Sequence, residues 1–326
     1  MTLDRRAFTA LIAAQALAPP AHAQTAWPQK PVTMVVSNGA GSSPDVMARL
    51  LASRMEPVLG QAVIIEDKPG AGNVIGAMNV ARAAPDGYRL FFATSAALAA
   101  NPYLVKNLPY DPRKDFEPIA MLNRTHQYIL VHKDVPASTL AELIALEKKA
   151  PGSMSIAIDG PRNLAGVTAQ ALNKRAGTKF VLVTYPNIMN GVQEMLAGRI
   201  QAGVFPVAIT QTAVNEGTLR ALAVASTAHM TSRPDIPAVS ELFPNFDFSG
   251  WFIVMAPKGA PPEVIQKVNA ALDIAMRDPQ VLGMAPALGY DFDPKGIGGP
   301  EKAAAFLNGQ LNYWATVTKE LGIEPE

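Results

Sequence analysis

The chain has 326 residues, of which 28 are basic and 27 acidic, so its formal net charge is only +1. Proteins that bind nucleic acids or acidic membrane surfaces usually carry an excess of basic residues, and this chain has none to speak of. We therefore expect no nucleic-acid partner. The chain has no cysteine, which excludes disulfides, thiolate catalysis and thiolate metal sites. Its 49% hydrophobic content can bury a sizeable core, and its length favours two domains.

The N-terminal residues have the pattern of an export signal. Arg5 and Arg6 precede an apolar run over residues 10–18, and an A-x-A cleavage site ends at Ala23. The run is shorter than the about 20 residues that span a bilayer. We therefore predict a signal peptide over residues 1–23 and a protein exported to the periplasm. The paired arginines favour the twin-arginine route, and an ordinary Sec signal is the alternative.

Strand and helix patterns alternate along the first part of the mature chain. Val32–Val36 is an apolar, β-branched run, typical of a strand buried on both faces. Ser43, followed by proline and aspartate, is interpreted as a helix N-cap, and the apolar residues after it keep helical spacing until Gly60. A strand, a helix and a further strand are predicted next, over residues 62–66, 73–83 and 89–93.

The same alternation continues to the end of the chain. Strands are predicted over residues 128–132, 154–158, 180–183, 200–205, 219–225 and 252–256. Helices are predicted over residues 139–150, 164–175, 189–198, 262–277 and 301–321. Alternation of this kind indicates an α/β fold with mostly parallel sheets.

The loop between the first strand and the first helix is the first candidate binding site. Unpaired N–H groups and the positive end of the helix dipole meet at such a junction and favour an anion. The loop glycines allow close backbone approach to a carboxylate, although Ser43 and Asp45 could simply cap the helix. The candidate ligand contacts are Ser37, Asn38, Gly39, Ala40, Gly41, Ser42, Ser43 and Asp45.

The corresponding loop in the second half of the chain is the next candidate. It contains Asp159, Gly160, Arg162 and Asn163. The guanidinium of Arg162 could donate two hydrogen bonds to a ligand carboxylate, or it could simply pair with Asp159 at the surface. Open α/β sheets collect ligands at the carboxyl ends of their strands. Further candidates at such ends are Thr94, Ser95, Tyr185, Asn187 and Phe205.

The sequence gives little support to cofactor binding or catalysis. Residues 70–76 have a G-x-G-x-x-x-G spacing, but three residues separate them from the preceding strand, unlike the dinucleotide fingerprint. We interpret this stretch as a hinge and helix start beside a cleft. The chain has no G-x-S-x-G or H-E-x-x-H motif, and His126, His132 and His229 share no helical face. We predict no enzyme activity, no cofactor and no metal site.

A series of short motifs runs along the mature chain in a fixed order. Among them are K-P-G-A-G at 68–72, P-D-G-Y at 85–88, L-P-Y-D-P at 108–112, G-R-I at 198–200 and R-P-D-I-P at 233–237. Together they resemble the substrate-binding proteins of tripartite tricarboxylate transporters, the Bug family, over essentially the whole mature length.

This resemblance implies a two-lobed type II periplasmic binding protein, in which a mostly parallel sheet flanked by helices forms each lobe. Residues 24–127 with 250–326 would form one lobe and residues 128–249 the other. A small carboxylate would lie in the cleft between the lobes, on the loops 37–45 and 159–163. The implied protein is a monomer that delivers its ligand to the small and large membrane subunits of a transporter. A receptor for a sensor kinase is an alternative, and an enzyme with this fold is a third.

Three cleft loops depart from the usual family pattern. The first loop lacks the usual Pro-Phe or Pro-Tyr, Arg162 and Asn163 stand where a Gly-Ser pair is usual, and residues 183–187 replace Val-Pro-Tyr-Lys-Gly. We therefore expect an unusual ligand or binding mode, and we predict that Arg162 contacts a second carboxylate or another anionic group. A dicarboxylate, an aromatic acid, an amino acid and an amide all stay open. The few aromatic residues in these loops favour a small aliphatic acid.

Overall fold

A computed structural model describes residues 27–326, in which two β-sheets are flanked by helices. The predicted signal peptide, residues 1–23, lies outside the described residues. Within 27–326, no helix combines the length and the apolar composition needed to cross a membrane.

The described residues form eleven strands and ten α-helices. The strands are β1 (Val32–Val36), β2 (Val63–Asp67), β3 (Arg89–Thr94), β4 (Phe116–Thr125), β5 (Gln127–His132), β6 (Ser155–Ile158), β7 (Val181–Thr184), β8 (Ala202–Pro206), β9 (Leu219–Val224), β10 (Gly250–Pro257) and β11 (Tyr290–Asp291). The helices are α1 (Ser43–Leu59), α2 (Val74–Ala81), α3 (Asn101–Leu104), α4 (Leu140–Lys149), α5 (Leu164–Ala176), α6 (Ile188–Leu196), α7 (Val207–Asn215), α8 (Pro262–Met276), α9 (Pro279–Leu288) and α10 (Pro300–Leu321). A five-residue stretch of π-helix over Ala96–Ala100 precedes α3.

Both sheets are mixed, whereas the sequence predicted sheets that are mostly parallel. The first sheet has the order β11-β4-β10-β3-β1-β2, and the second has the order β7-β6-β8-β5-β9. β1 pairs in parallel with β2 and β3, as β6 does with β7 and β8. β10 runs antiparallel to β3 and β4, and β5 runs antiparallel to β8 and β9. The predicted α/β fold of two sheets flanked by helices is confirmed, with β10 and β11 reversed in the first sheet and β5 reversed in the second.

The chain passes from the first sheet to the second at His126, between β4 and β5. The His126 backbone N–H donates to the Gly289 carbonyl at 3.1 Å, and its own carbonyl accepts from the Val207 N–H at 3.1 Å. Its buried imidazole Nε2 lies 2.8 Å from Asp291 Oδ2. The chain returns to the first sheet through residues 225–249. Contacts from both sheets therefore fix the first of the two passages.

Each strand and helix predicted from the sequence is present, with ends that differ by at most two residues. The N-cap of α1 is Ser42 rather than Ser43. The sequence analysis did not predict β4, β11, α3, α7 or α9. Glu117, Pro118 and Arg124 lie within β4 and interrupt the apolar pattern by which strands are recognised.

Gly166 allows α5 to begin tightly against the loop that precedes it. A Cβ atom at this position would overlap the Gly160 carbonyl oxygen and lie 2.8 Å from Pro161 Cα, both of which are backbone atoms. Gly309, on an exposed face of α10, has no such neighbour within 4 Å. The two helical glycines therefore differ in what a methyl group would meet.

We predict opposite effects from the same substitution at these two positions. Gly166→Ala should lower the free energy of unfolding by about 1–3 kcal/mol, because the backbone of the loop must move. Gly309→Ala should raise it by about 0.5–1 kcal/mol through helix propensity alone. Urea denaturation of both variants measures this contrast. Equal effects at the two positions would contradict the close packing of α5 on its loop.

Candidate functional site

A cavity of about 370 Å³ lies between the two sheets and is called the cleft below. From the first sheet its lining includes Asn38 after β1, Thr94 at the end of β3 with Ser95 directly after it, and residues of the paired strands β4 and β10. From the second sheet it includes residues of the loop between β6 and α5. The carboxyl ends of β1, β3 and β6 therefore meet at one site, as expected for ligand sites in open α/β sheets.

The polar groups at the junction between β1 and α1 mostly bind to other groups of the protein. The buried carboxylate of Asp45 accepts a hydrogen bond from the Gly41 N–H at 2.7 Å and pairs with Arg49 at 2.7 Å. The Ser43 hydroxyl is hydrogen-bonded to the hydroxyl of Tyr290. Asp45 and Ser43 thus brace the loop instead of lining the cleft. Of the eight candidates from Ser37 to Asp45, Asn38 is the one that lines the cleft.

The glycine-rich stretch at residues 70–76 borders the cleft, as its interpretation predicted. Gly72 and Asn73 line the cavity. Asn73 has a φ of 77°, in the left-handed region, and its side-chain oxygen accepts a hydrogen bond from the Ser37 hydroxyl at 3.1 Å. A Cβ atom on Gly76 would lie 2.7 Å from Ser37 Cβ. Gly76 is therefore needed for α2 to approach the loop after β1 and to hold Asn73 at the cleft.

Three hydroxyl groups lie at the floor of the cleft. Thr94 and Ser95 are both about nine-tenths buried, and Thr94 Oγ1 accepts a long hydrogen bond of 3.4 Å from the Ala97 N–H. A Cβ atom on Gly250 would overlap the Thr125 hydroxyl and lie 3.6 Å from Ser95 Oγ. The missing side chain of Gly250 therefore leaves room above these hydroxyls, which can donate hydrogen bonds to a ligand oxygen.

Aromatic side chains form one wall of the cleft. Trp251 and Phe252 come from β10, and Trp314 comes from α10. The indole N–H of Trp251 is donated to the Gln310 side-chain oxygen at 3.1 Å. This wall was not predicted from the sequence, because its aromatic residues come from a strand and a helix and not from the loops. Thr125 and Gly250 were not predicted either, since β4 does not have a regular apolar pattern and Gly250 lies before the predicted start of β10.

The loop after β6 brings the charged residues Asp159 and Arg162 to the cleft, together with Asn163. The Asn163 side-chain NH2 donates to the Asp159 backbone carbonyl at 3.1 Å and so closes the loop. Asp159 Oδ1 is buried, and no group within residues 27–326 donates a hydrogen bond to it. Burial raises the pKa of the Asp159 carboxyl to about 6. The lining of the cleft therefore includes a carboxyl group that is protonated more readily than usual, because one of its oxygens is buried away from water.

Arg162 lines the cleft, but its guanidinium is engaged with the segment that follows α10. It donates to the Glu324 carbonyl, and its Nη2 lies 2.5 Å from Glu326 Oε1. That segment is itself held to the first sheet's side of the cleft, since the Lys106 N–H donates to the Glu326 carbonyl at 2.8 Å. Arg162 thus bridges the two sides of the cleft. The predicted contact between Arg162 and a ligand stays a prediction.

The remaining candidates do not line the cleft. Phe205 is fully buried beneath α6, because alternation along β8 turns its side chain into the core of the second sheet. Asn187 caps α6 and accepts a hydrogen bond from the Met189 N–H at 3.1 Å. The candidates that lie outside the cleft lining are Ser37, Gly39, Ala40, Gly41, Ser42, Ser43, Asp45, Gly160, Tyr185, Asn187 and Phe205.

The raised pKa of Asp159 predicts how stability depends on pH. A carboxyl that titrates near pH 6 in the folded chain and near 3.8 in the unfolded chain favours folding when protonated. This contribution is complete below about pH 4 and is lost as the pH rises through about 6. Asp159→Asn removes the titration, so the variant should gain stability over the natural protein as the pH rises from 4.5 to 7.5, by up to about 3 kcal/mol. Thermal unfolding of both proteins across this range measures the gain, and parallel pH curves would contradict it.

Comparisons with known proteins agree with this architecture. A model of the tripartite tricarboxylate transporter family receptor matches residues 47–323. BugT of Bordetella pertussis is 32% identical over 313 residues, which cover 95% of each chain. Among solved structures, the periplasmic binding protein BugD is 30% identical with a TM-score of 0.76, and the match covers 92% of this chain and 100% of BugD. MatC from Rhodopseudomonas palustris, solved with bound malate, is 27% identical with a TM-score of 0.74 over 89% of this chain and 99% of MatC.

The family match spans most of the chain, and the relatives align with it from end to end or nearly so. The resemblance carried by the short sequence motifs is therefore confirmed. This chain belongs to the tripartite tricarboxylate transporter receptor family.

Proposed function

We propose that this chain is an exported solute-binding protein that captures a small carboxylate in the cleft and delivers it to a tripartite tricarboxylate-type membrane transporter. The observation that carries the proposal is the meeting of polar strand ends from both sheets in one cavity of about 370 Å³. The malate bound to MatC, a relative of the same fold, supports the ligand class.

The first sheet supplies neutral hydrogen-bond donors for the carboxylate. The hydroxyls of Thr94, Ser95 and Thr125 lie at the cleft floor, and Asn38 and Asn73 add side-chain amides beside them. A hydrogen bond from a neutral donor to a carboxylate is strengthened by the charge it meets. A small anion can therefore be held here without a cation from the first sheet.

Residues from both sheets must contact the ligand for binding to be coupled to closure. A ligand shifts a conformational equilibrium only by its difference in affinity for the two states. The passages at His126 and at residues 225–249 join the two sheets, and as connections between rigid elements they can act as hinges. In this proposal, the membrane subunits recognise the closed protein, and the ligand leaves the cleft chemically unchanged.

We predict that a hydroxyl at the cleft floor contributes to carboxylate binding. Thr94→Val keeps the shape of the side chain and removes the hydroxyl, so it should weaken binding about 10- to 100-fold if Thr94 donates to a charged group. Thr33→Val is the matched control, because Thr33 lies near the opposite end of β1 from the cleft. Both variants are compared by calorimetric titration with the carboxylate that gives the natural protein its largest thermal shift.

A panel of carboxylates and their neutral amides identifies that ligand. A ligand at about 100 times its Kd stabilises the folded protein by about 2.7 kcal/mol, enough for a clear shift in Tm. If no carboxylate stabilises the protein, or if Thr94→Val and Thr33→Val bind equally well, the proposed site is wrong.

Arg162 can be tested separately from its contact with Glu326. If Arg162 contacts an anionic group of the ligand, Arg162→Ala should weaken binding by about 1.5–3 kcal/mol. Glu326→Gln is the control, since it removes the charge that pairs with Arg162 and leaves the guanidinium in place. Titrations in which both variants change affinity equally would indicate that Arg162 only fastens the segment after α10.

A further inference from the structure

A single carboxylate contacts both passages between the two sheets. Asp291 belongs to β11, an edge strand of the first sheet. Its Oδ2 atom lies 2.8 Å from Nε2 of His126, which forms the first passage. Its Oδ1 atom accepts a hydrogen bond of 3.0 Å from the N–H of Thr231, within the second passage of residues 225–249. One side chain of the first sheet is therefore bonded to both connections at once.

The contact between Asp291 and Thr231 joins the two sheets. Thr231 comes directly after Met230, which is fully buried in the apolar core of the second sheet. Because Met230 anchors this part of the chain, Thr231 must move with the second sheet. Any rotation of one sheet relative to the other therefore changes the distance between the Asp291 carboxylate and the Thr231 N–H.

The bonds of Asp291 are those of a charged carboxylate. Burial acts to raise the pKa of this carboxyl, but the contacts with His126 and with the Thr231 N–H outweigh burial, and the pKa is lowered below its ordinary value. Hydrogen bonds to an ionised acceptor are roughly twice as strong as those between neutral groups. Asp291 can thus hold both passages firmly at neutral pH.

Gly289 lets the segment before Asp291 lie directly against the second sheet's side. Its φ is 64°, in the left-handed region, and a Cβ atom there would overlap the side chain of Val207, the first residue of α7. Its carbonyl accepts the His126 N–H at 3.1 Å. A larger residue at position 289 would push this segment away from α7 and from the first passage.

Tyr290 connects the same segment to the cleft. Its side chain is buried, and its hydroxyl is hydrogen-bonded to the hydroxyl of Ser43, the first residue of α1. The loop before Ser43 contains Asn38, which lines the cleft. Residues 289–291, called the hinge brace below, therefore contact both passages, α7 and the start of α1.

The hinge brace is intact in a conformation in which the two sides of the cleft lie close together. A Cβ atom on Gly250 would lie 3.7 Å from Cδ2 of Leu164, an ordinary van der Waals distance. Leu164 is the first residue of α5 and belongs to the second sheet's side, whereas Gly250 lies at the cleft floor on the first. The contacts of the hinge brace therefore favour this conformation over one in which the sheets rotate apart.

We propose that the hinge brace is a conformational device that keeps the two sheets close, and that Asp291, which lies outside the cleft lining, sets the balance between this conformation and a more open one. Both passages are fastened to one side chain, so a rotation that breaks one contact releases the other. Opening is then a change between two states, in which both hinges move together.

Distances between the two sheets in the ligand-free mature protein test this role. The chain has no cysteine, so Ile75→Cys and Met189→Cys provide a specific pair of sites for spin labels. Both side chains are exposed and lie in the first turns of α2 and α6, one on each side of the cleft. Pulsed electron paramagnetic resonance gives the distribution of label distances with and without Asp291→Ala.

Asp291→Ala should increase the population of longer distances about tenfold or more, because it removes two hydrogen bonds to a charged group. Asp293→Ala is the matched control and should leave the distribution unchanged, since the ion pair of Asp293 with Lys302, at 2.7 Å, lies within the first sheet's side. Equal distributions in Asp291→Ala and the natural protein would overturn the inference, and so would equal changes in the two variants.

Circular dichroism and the Tm establish that Asp291→Ala is folded before its distances are compared. If it is not, Asp291→Ser takes its place, because the shorter serine side chain cannot reach both partners. No ligand is added in these measurements. Failure of the proposed carboxylate to bind would therefore leave the inference standing, and unchanged distances would overturn the inference and leave carboxylate binding standing.

Discussion

The antiparallel ladder between β4 and β10 is the interaction on which both sheets and the cleft depend. It runs from the pair of Thr125 with Gly250 to that of Phe116 with Pro257, and all eight residues of β10 are buried. The second sheet lies between β4 and β10 in the chain, so this ladder sets where the chain leaves the first sheet and where it returns. Because the first passage begins, and the second passage ends, beside the pair of Thr125 and Gly250, the floor of the cleft is the point where the ladder ends.

The sequence predicted the elements whose pattern is local. The parallel strands β1, β2, β3, β6 and β7 are short apolar runs, and helices such as α4 begin with a capping box, which Thr139 and Glu142 form in the structure. Whether two strands pair in parallel or antiparallel cannot be predicted from the local sequence. β5 and β10 have the same apolar composition as the parallel strands, and they are reversed because they follow crossings between the sheets. The ladder that determines the cleft was therefore the part least accessible from the pattern of residues.

The candidate site residues divide in the same way, into those that a local pattern predicts and those that it does not. Asn38, Thr94, Ser95, Asp159, Arg162 and Asn163 line the cleft as predicted, because the carboxyl ends of parallel strands must share an edge of their sheet. Phe205 was predicted by the same rule and lies in the core, since β8 is followed at once by α7 and its last side chains alternate away from the cleft. The engagement of Arg162 by Glu326 joins residues 164 positions apart in the chain, and no spacing rule predicts such a pair.

The two sides of the cleft differ in chemistry, and this difference bears on how closure could depend on ligand identity. The first sheet offers neutral hydroxyl donors, whereas the second offers the uncompensated carboxylate of Asp159. A carboxylate that contacts the first side alone gains little from closure. A ligand that also contacts the loop after β6 gains this second contact only when the sheets approach, so its binding energy favours the closed state.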